Sequence, residues 1–219
     1  MGVALSGSKI GLRERKKLRT RATLIDAAVQ LCLQQGYDNT TVEEIAAIAD
    51  VSPRTFSRYF ATKDAVVLTL LEDLVFAVSA ELAAIPYDVP VFEAMYLAHT
   101  NVLKRVRPAG ADGVAGITTE SIVLMLRIIN STPGLKMAAT DFRPDWTVQA
   151  LAQRLGVEVA DRKVQLVSAV WSAVIVTACG DLVADRDGLP LGPELMVERI
   201  SWAFAQFSGL TADLPREHR

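Results

Sequence analysis

Arg54 and Arg58 stand four residues apart in the run SPRTFSRYF (52–60), and Phe56 and Phe60 stand four apart in the same run. At 100° of turn per residue, a helix here puts both arginines on one side and both phenylalanines on the opposite side. Thr55 and Tyr59 flank the arginines. Such a helix buries two aromatic rings and presents guanidinium and hydroxyl groups outward. A guanidinium can bond the edge of guanine in bidentate fashion, and hydroxyls suit phosphate oxygens or bases. A polar face with two arginines on one short helix is, on its own, more often a solvated one. The surrounding cations tip the reading towards DNA: Arg13, Arg15, Lys16, Lys17, Arg19 and Arg21 precede the run, and Lys63 follows it at a helix start.

The charge distribution agrees. The whole chain carries a net charge of −2, but residues 1–63 hold ten Lys/Arg against six Asp/Glu, a balance of +4, and the remainder balances at −6. A basic N-terminal segment on an acidic body points to a polyanionic partner.

A second group of residues could hold an apolar molecule. Phe92, Met95, Tyr96, His99 and Leu103 repeat at helical spacing, and Met125, Ile128 and Ile129 repeat on the next helix. Stripes of this kind form plain core or line a cavity. His99 is correspondingly either a hydrogen-bonded core residue or a polar contact for a ligand. Trp146 and Trp171 belong to the same choice.

Enzyme chemistry finds little to work with. There are two histidines, one of them His218 near the end of the chain. Gly110, Gly113 and Gly116 lack the dinucleotide-binding spacing and no strand precedes them. Asp185, Asp187, Gly188 and Glu194 fall at calcium-loop positions, but Val183 would occupy the first ligand position and cannot ligate. Cys32 and Cys179 have neither metal-type nor redox-type spacing and read as buried thiols. No cofactor and no metal is expected.

The elements that must position these residues are helices throughout. A first helix spans about Leu12–Gln35, with Leu24, Ala27, Ala28, Leu31 and Cys32 inward and Gly36 as its stop. Thr41-Val42-Glu43-Glu44 is a capping box for a short helix ending near Ala49. Ser52 caps a third helix with Pro53 at its first position, ending near Phe60. Thr62 caps a long fourth helix to about Ala84, with Leu74, Phe76 and Val78 expected deep in the body. Further helices are expected at about Val91–Arg107, Thr119–Ser131, Pro133–Leu155 with a break before Pro144, Asp161–Ala184 and Pro193–Ser208. The fold class is all-α: a disordered tail over 1–11, a three-helix helix-turn-helix domain over 12–63, and a larger helical body over 64–219. Neither a secretory signal nor a spanning segment is read from the chain, since the longest nearly uncharged stretch, Val164–Gly180, is shorter than the ~20 residues a bilayer needs. A cytoplasmic protein is expected.

The run TLIDAAVQLCLQQGYDNTTVEEIAAIADVSPRTFSRYFATKDAVVLTLL resembles the N-terminal domain of the tetracycline-repressor-like (TetR) family. Ala28, Gly36, Thr40-Thr41-Val42, Ile45-Ala46, Val51-Ser52, Tyr59-Phe60 and Lys63 carry the resemblance, which covers about residues 20–71. It implies an all-α homodimer that binds a palindromic duplex operator and an effector that usually releases the DNA. Thr41, Ser52, Arg54, Thr55, Arg58, Tyr59 and Lys63 would then be the DNA-contacting positions. Two residues depart from the family pattern. Asp50 stands where glycine is usual, and Asp tolerates left-handed geometry better than most residues. Cys32 stands where Phe is more frequent.

The resemblance also raises the cavity reading, with Phe92, Met95, Tyr96, His99, Met125, Ile129, Trp146 and Trp171 as candidates to contact an apolar or amphipathic small molecule. The segment 164–182 is apolar on nearly every side and needs cover on more than one face. Met196, Ile200, Ala203, Phe204 and Phe207 offer a complementary stripe, so a symmetric four-helix dimer interface is expected. The fourth helix is the expected link between effector and DNA. The competing class is a helical small-molecule-binding or interaction protein without regulatory DNA binding.

Overall fold

Ten helices make up the computed structural model, which describes residues 11–108, 114, 117–186 and 188–212. They are α1 (Leu12–Gln35), α2 (Val42–Ile48), α3 (Pro53–Tyr59), α4 (Lys63–Ala84), α5 (Val91–Arg105), α6 (Thr119–Ile129), α7 (Pro133–Thr140), α8 (Asp145–Leu155), α9 (Arg162–Cys179) and α10 (Pro193–Ala212). Among the described residues there is no strand, and the all-α expectation holds. Residues 1–10 of the expected tail, Gly110, Gly113, Gly116, Asp187 and His218 lie outside the described residues. The chain divides into two compact units between Val66 and Val67, inside α4.

The N-terminal unit is built by capping and by a small apolar core. Gly36 stops α1 at φ 83°, where a side chain would be strained, and its N–H donates to the Cys32 carbonyl at 3.1 Å. Thr41 caps α2: its hydroxyl accepts from the Glu44 N–H, and the Glu44 carboxylate accepts from the Thr41 N–H at 2.9 Å. Those bonds from Thr41, backbone first, hold the Glu44 carboxyl below the usual carboxylate range. The turn after α2 is a Schellman motif. The Val51 N–H donates to the Ala46 carbonyl at 2.9 Å and the Asp50 N–H to that of Ala47 at 3.1 Å. Asp50 takes the left-handed position at φ 53°, as its side chain allows. Leu24, Ala27, Ala28 and Leu31 of α1 meet Ile45, Ala46, Phe56 and Phe60 in the core of this unit. Cys32 is buried as well, and burial pushes its thiol pKa up.

The body packs α5, α9 and α10 together with α4, α6 and α8 around a second core. The Pro133–Leu155 segment does break before Pro144 as expected, α7 ending at Thr140 and α8 restarting behind Pro144. Other boundaries differ from the sequence expectation. Helix α9 ends at Cys179 instead of running to Ala184, because side chains take over its last carbonyls. The Asn130 amide donates to Cys179 and Leu182 at 2.9 Å each, and Arg199 Nε donates to Ala178 at 3.2 Å. Phe76, expected deep in the body, is 61% exposed, while Leu74 and Val78 are buried.

The stripe assigned from sequence to a dimer face also turns inward. Met196, Ile200 and Ala203 are buried in the body's own core, and Phe204 and Phe207 pack against Tyr96 and Phe92 of α5. The large apolar residues left outside on these helices, among the described residues, are Leu166 and Val176 on α9 and Trp202 and Leu210 on α10. Helix α9 is long and apolar enough to cross a membrane by length and composition, and one side of it is packed in this core.

Candidate functional site

Helix α3 is seven residues long, too short to be stable by itself, so its ends and its inner face must hold it. At the N-terminus, the Ser52 hydroxyl accepts from the Thr55 N–H at 3.1 Å and Pro53 fills the first position. At the inner face, Phe56 and Phe60 are buried with ring centroids 5.8 Å apart. Arg54 and Arg58 are consequently exposed, with Ser52 and Thr41 exposed nearby in the chain. Arg58 lies over the Tyr59 ring at 5.4 Å, so its guanidinium rests against a half-buried aromatic. Thr55 is half-buried, its hydroxyl 3.0 Å from that of Ser52. Arg13, Arg15, Lys16, Lys17 and Arg19 are all exposed on α1.

Lys63 has a different setting. Its ammonium donates to the carbonyls of Tyr37 at 2.7 Å and Thr40 at 2.8 Å, and it lies 3.9 Å from the centroid of the Tyr37 ring. The Tyr37 hydroxyl in turn bonds Asp64. Two of the three ammonium protons therefore tie the α1–α2 turn to the first turn of α4. Lys63 positions the helix-turn-helix from within, whatever else its third proton does.

The body encloses a cavity of about 230 Å³, far more than one water needs. Its wall comes from α4 through α10 and is mostly apolar: Leu71, Leu74 and Val78 from α4, Met95, Ala98 and Leu103 from α5, Met125, Leu126 and Ile129 from α6. His99 and Trp171 meet on this wall with ring centroids 5.2 Å apart. His99 Nδ1–H donates to the Met95 carbonyl at 2.7 Å, and Nε2 accepts from Trp171 Nε1–H at 3.3 Å. Burial pulls the imidazole pKa from 6.5 down to about 4, so it is neutral near pH 7. Cys179, also on the wall, is a protonated thiol, its pKa pushed by burial to about 12.

Of the eight candidate ligand contacts, Met95, His99, Met125, Ile129 and Trp171 come together on this cavity. Phe92 instead packs edge-on against Phe207 and Tyr96 stacks on Phe204, both of α10, and the Tyr96 hydroxyl lies 3.1 Å from that of Ser201. Trp146 packs edge-on against exposed Phe76, outside the cavity wall. No group of His, Cys, Asp and Glu among the described residues is arranged to hold a metal.

Comparison with known proteins adds to this geometry. Residues 24–70 match the family model for bacterial regulatory proteins of the tetR family. The chain is 38% identical over 183 residues to the HTH-type transcriptional regulator TcmR of Streptomyces glaucescens, covering 81% of this chain and 80% of that protein. This chain belongs to the TetR family. It is a DNA-binding transcriptional regulator with a helix-turn-helix. It is also 37% identical over 60 residues, 27% of this chain and 19% of the relative, to the regulator YuxN of Bacillus subtilis. Among solved structures it is similar to Thermus thermophilus FadR, a TetR-family repressor in complex with lauroyl-CoA. The TM-score is 0.48 at 22% identity, over 90% of this chain and 97% of that one.

Three residues of this TetR-family member were not singled out from sequence. Lys136 and Arg143 are on the cavity wall. Arg154 donates to the carbonyls of Leu82, Ile85, Pro86 and Val89, at 3.4, 3.0, 2.7 and 2.8 Å, and so fastens α8 to the α4–α5 turn. The stretch from 136 to 154 carries no strong periodic stripe to announce these roles. Arg143 directly before Pro144 was the one available hint, a long cation where the chain must turn.

Proposed function

We propose that this regulator is a homodimeric repressor that reads a palindromic operator and is released when an apolar or amphipathic small molecule fills the cavity of its body. The observation that carries the DNA half is α3, pinned by Phe56 and Phe60 with Arg54 and Arg58 exposed. Those two arginines read bases, and Thr41, Ser52, Thr55, Tyr59 and the exposed cations of α1 bond phosphate. The cavity supports the ligand half, with Met95, His99, Met125, Ile129 and Trp171 as contacts. The outward apolar residues of α9 and α10 support a second copy of the chain as their cover. A protein acting on chromosomal DNA works in the cytoplasm.

Helix α4 is the element that couples the two functions. It begins with Lys63, hydrogen-bonded to the helix-turn-helix, and farther along contributes Leu71, Leu74 and Val78 to the cavity wall. A ligand that prefers one setting of α4 shifts the pair of recognition helices relative to half-sites ~34 Å apart. Selection of bound duplexes from a random pool supplies the operator for testing. Binding should fall steeply with salt. A candidate effector is then titrated calorimetrically with and without operator. Coupling of about 1–3 kcal/mol, equal in both directions, is expected. Equal ligand affinity in both titrations contradicts effector action, and salt-insensitive or absent duplex binding contradicts the regulator reading.

A further inference from the structure

We infer that the cavity selects an organic anion, an apolar body bearing one acidic group that Lys136 and Arg143 hold. The inference rests on the reading of the cavity as the effector site and specifies what enters it. The wall contains Lys136 and Arg143 and no aspartate or glutamate. Both cations come from one short stretch of chain, α7 and the link that follows it. Lys136 is half-buried, and its ammonium has no hydrogen-bond or ion-pair partner among the described residues. Arg143 donates to the Ser172 hydroxyl at 3.0 Å, which leaves most of its five N–H groups open. Its carboxylate neighbour, Asp141, is 3.8 Å away and its side chain is 74% exposed, so solvent screens that pair.

The other polar groups of the wall are largely occupied with one another. His99 uses Nδ1–H on Met95 and Nε2 on Trp171. Ser79 bonds the Val75 carbonyl and lies 3.0 Å from the Thr147 hydroxyl. Thr140 donates to the Lys136 carbonyl. What the cavity has to offer a ligand is thus an apolar lining plus two under-used cations. Partly desolvated cations facing an apolar space attract a carboxylate, sulfonate or phenolate far more than a neutral polar group.

The test uses two fluorescent probes with the same aromatic body, 8-anilinonaphthalene-1-sulfonate and uncharged N-phenyl-1-naphthylamine. Each is titrated into the full-length protein, and mutual competition establishes one shared site. In the Lys136→Gln, Arg143→Gln double variant, affinity for the sulfonate should fall on the order of tenfold. Affinity for the neutral probe should stay within about twofold of wild type, and Lys136→Arg should retain the sulfonate preference. Equal changes for both probes, or an unchanged sulfonate affinity, overturn the inference while leaving the cavity as a binding site. Wild type that binds neither probe overturns the cavity reading and the inference with it. Should the double variant not fold, wild type decides. Sulfonate binding that weakens with salt while neutral binding does not supports the inference, and identical salt responses overturn it.

Discussion

An arginine on a seven-residue helix is presented outward because other residues hold the helix down, and the two kinds of residue fail differently. Arg54 and Arg58 are exposed, so replacing either by Ala should leave thermal stability unchanged and cost about 1–3 kcal/mol of operator affinity. Lys63→Met should do the reverse. It removes charge-assisted bonds to the Tyr37 and Thr40 carbonyls and should lower the stability of the N-terminal unit by about 2 kcal/mol in denaturant titration. His99 offers a pH test. Its folded-state pKa of about 4 lies below the ordinary 6.5, so between those values the unfolded chain binds the proton that the folded chain refuses. Stability should therefore drop as pH falls through 6.5 and level off below about 4, losing roughly 2 kcal/mol between pH 7 and 5 from this group. In His99→Gln that part of the slope should vanish. The orientation of Arg54 and Arg58 was legible in the sequence because it depends on spacing within eight residues. Lys63's bonds were not, since their acceptors lie 23 and 26 residues away and are backbone atoms. Nor did the sequence separate His99 from Tyr96. A helical stripe is wide enough to face two neighbours at once, and here one edge of it lines the cavity while the other stacks on α10.

Helices whose ends are chemically marked were read almost to the residue. Thr41 and Glu44 at α2, Ser52 and Pro53 at α3, and Gly36 after α1 each satisfy or replace a free backbone group, and that requirement is local. The end of α9 moved although Gly180 follows it, and α10 runs on to Ala212 past the expected Ser208. The end of α9 is set by Asn130 and Arg199 from α6–α7 and α10, which no local pattern reveals. Arg154 is the strongest case of a terminus satisfied from afar. Its guanidinium accounts for four carbonyls at the end of α4 and in the turn that follows, a geometry that one ammonium cannot reproduce. Arg154→Lys should accordingly behave as a loss, destabilising the body by about 2 kcal/mol, with Arg154→Met at least as costly. Chemical denaturation followed through the tryptophans, all three of which lie in the body, reads this directly. A lysine variant as stable as wild type would mean that the α4–α5 turn holds itself.

At the scale of the whole molecule, the decisive surface is the outward side of α9 and α10. Sequence reasoning proposes this pair of helices for a dimer because their combined apolar content is more than one chain is expected to cover. It assigned Trp171 and Phe204 to that interface, and both instead serve the body's own packing. Periodicity shows that two faces of α9 are apolar without showing which one meets α5 and α10. With burial known, the residues expected to meet a second copy are Leu166, Ala169 and Ala173 on α9 and Trp202 and Ala205 on α10, all exposed. The small alanines let two helices approach closely, and Leu166 and Trp202 supply the larger apolar area. Ala169→Glu and Ala173→Arg both place a charge on a helix surface that water already reaches in a single chain, where such changes are usually worth less than ~0.5 kcal/mol. Helicity and the monomer's own core should survive, in contrast to Trp171→Glu, which buries a charge and should unfold the body. In sedimentation wild type should run as a dimer at micromolar concentration and the Ala169→Glu protein as a monomer. Operator affinity should then drop by ~100-fold or more, because the second half-site loses the high effective concentration that the first binding event provides. A half-site duplex should be bound equally well by both proteins, since each recognition helix is intact. A wild type that sediments as a monomer would instead leave these apolar residues uncovered, and the operator would then have to be read one half at a time.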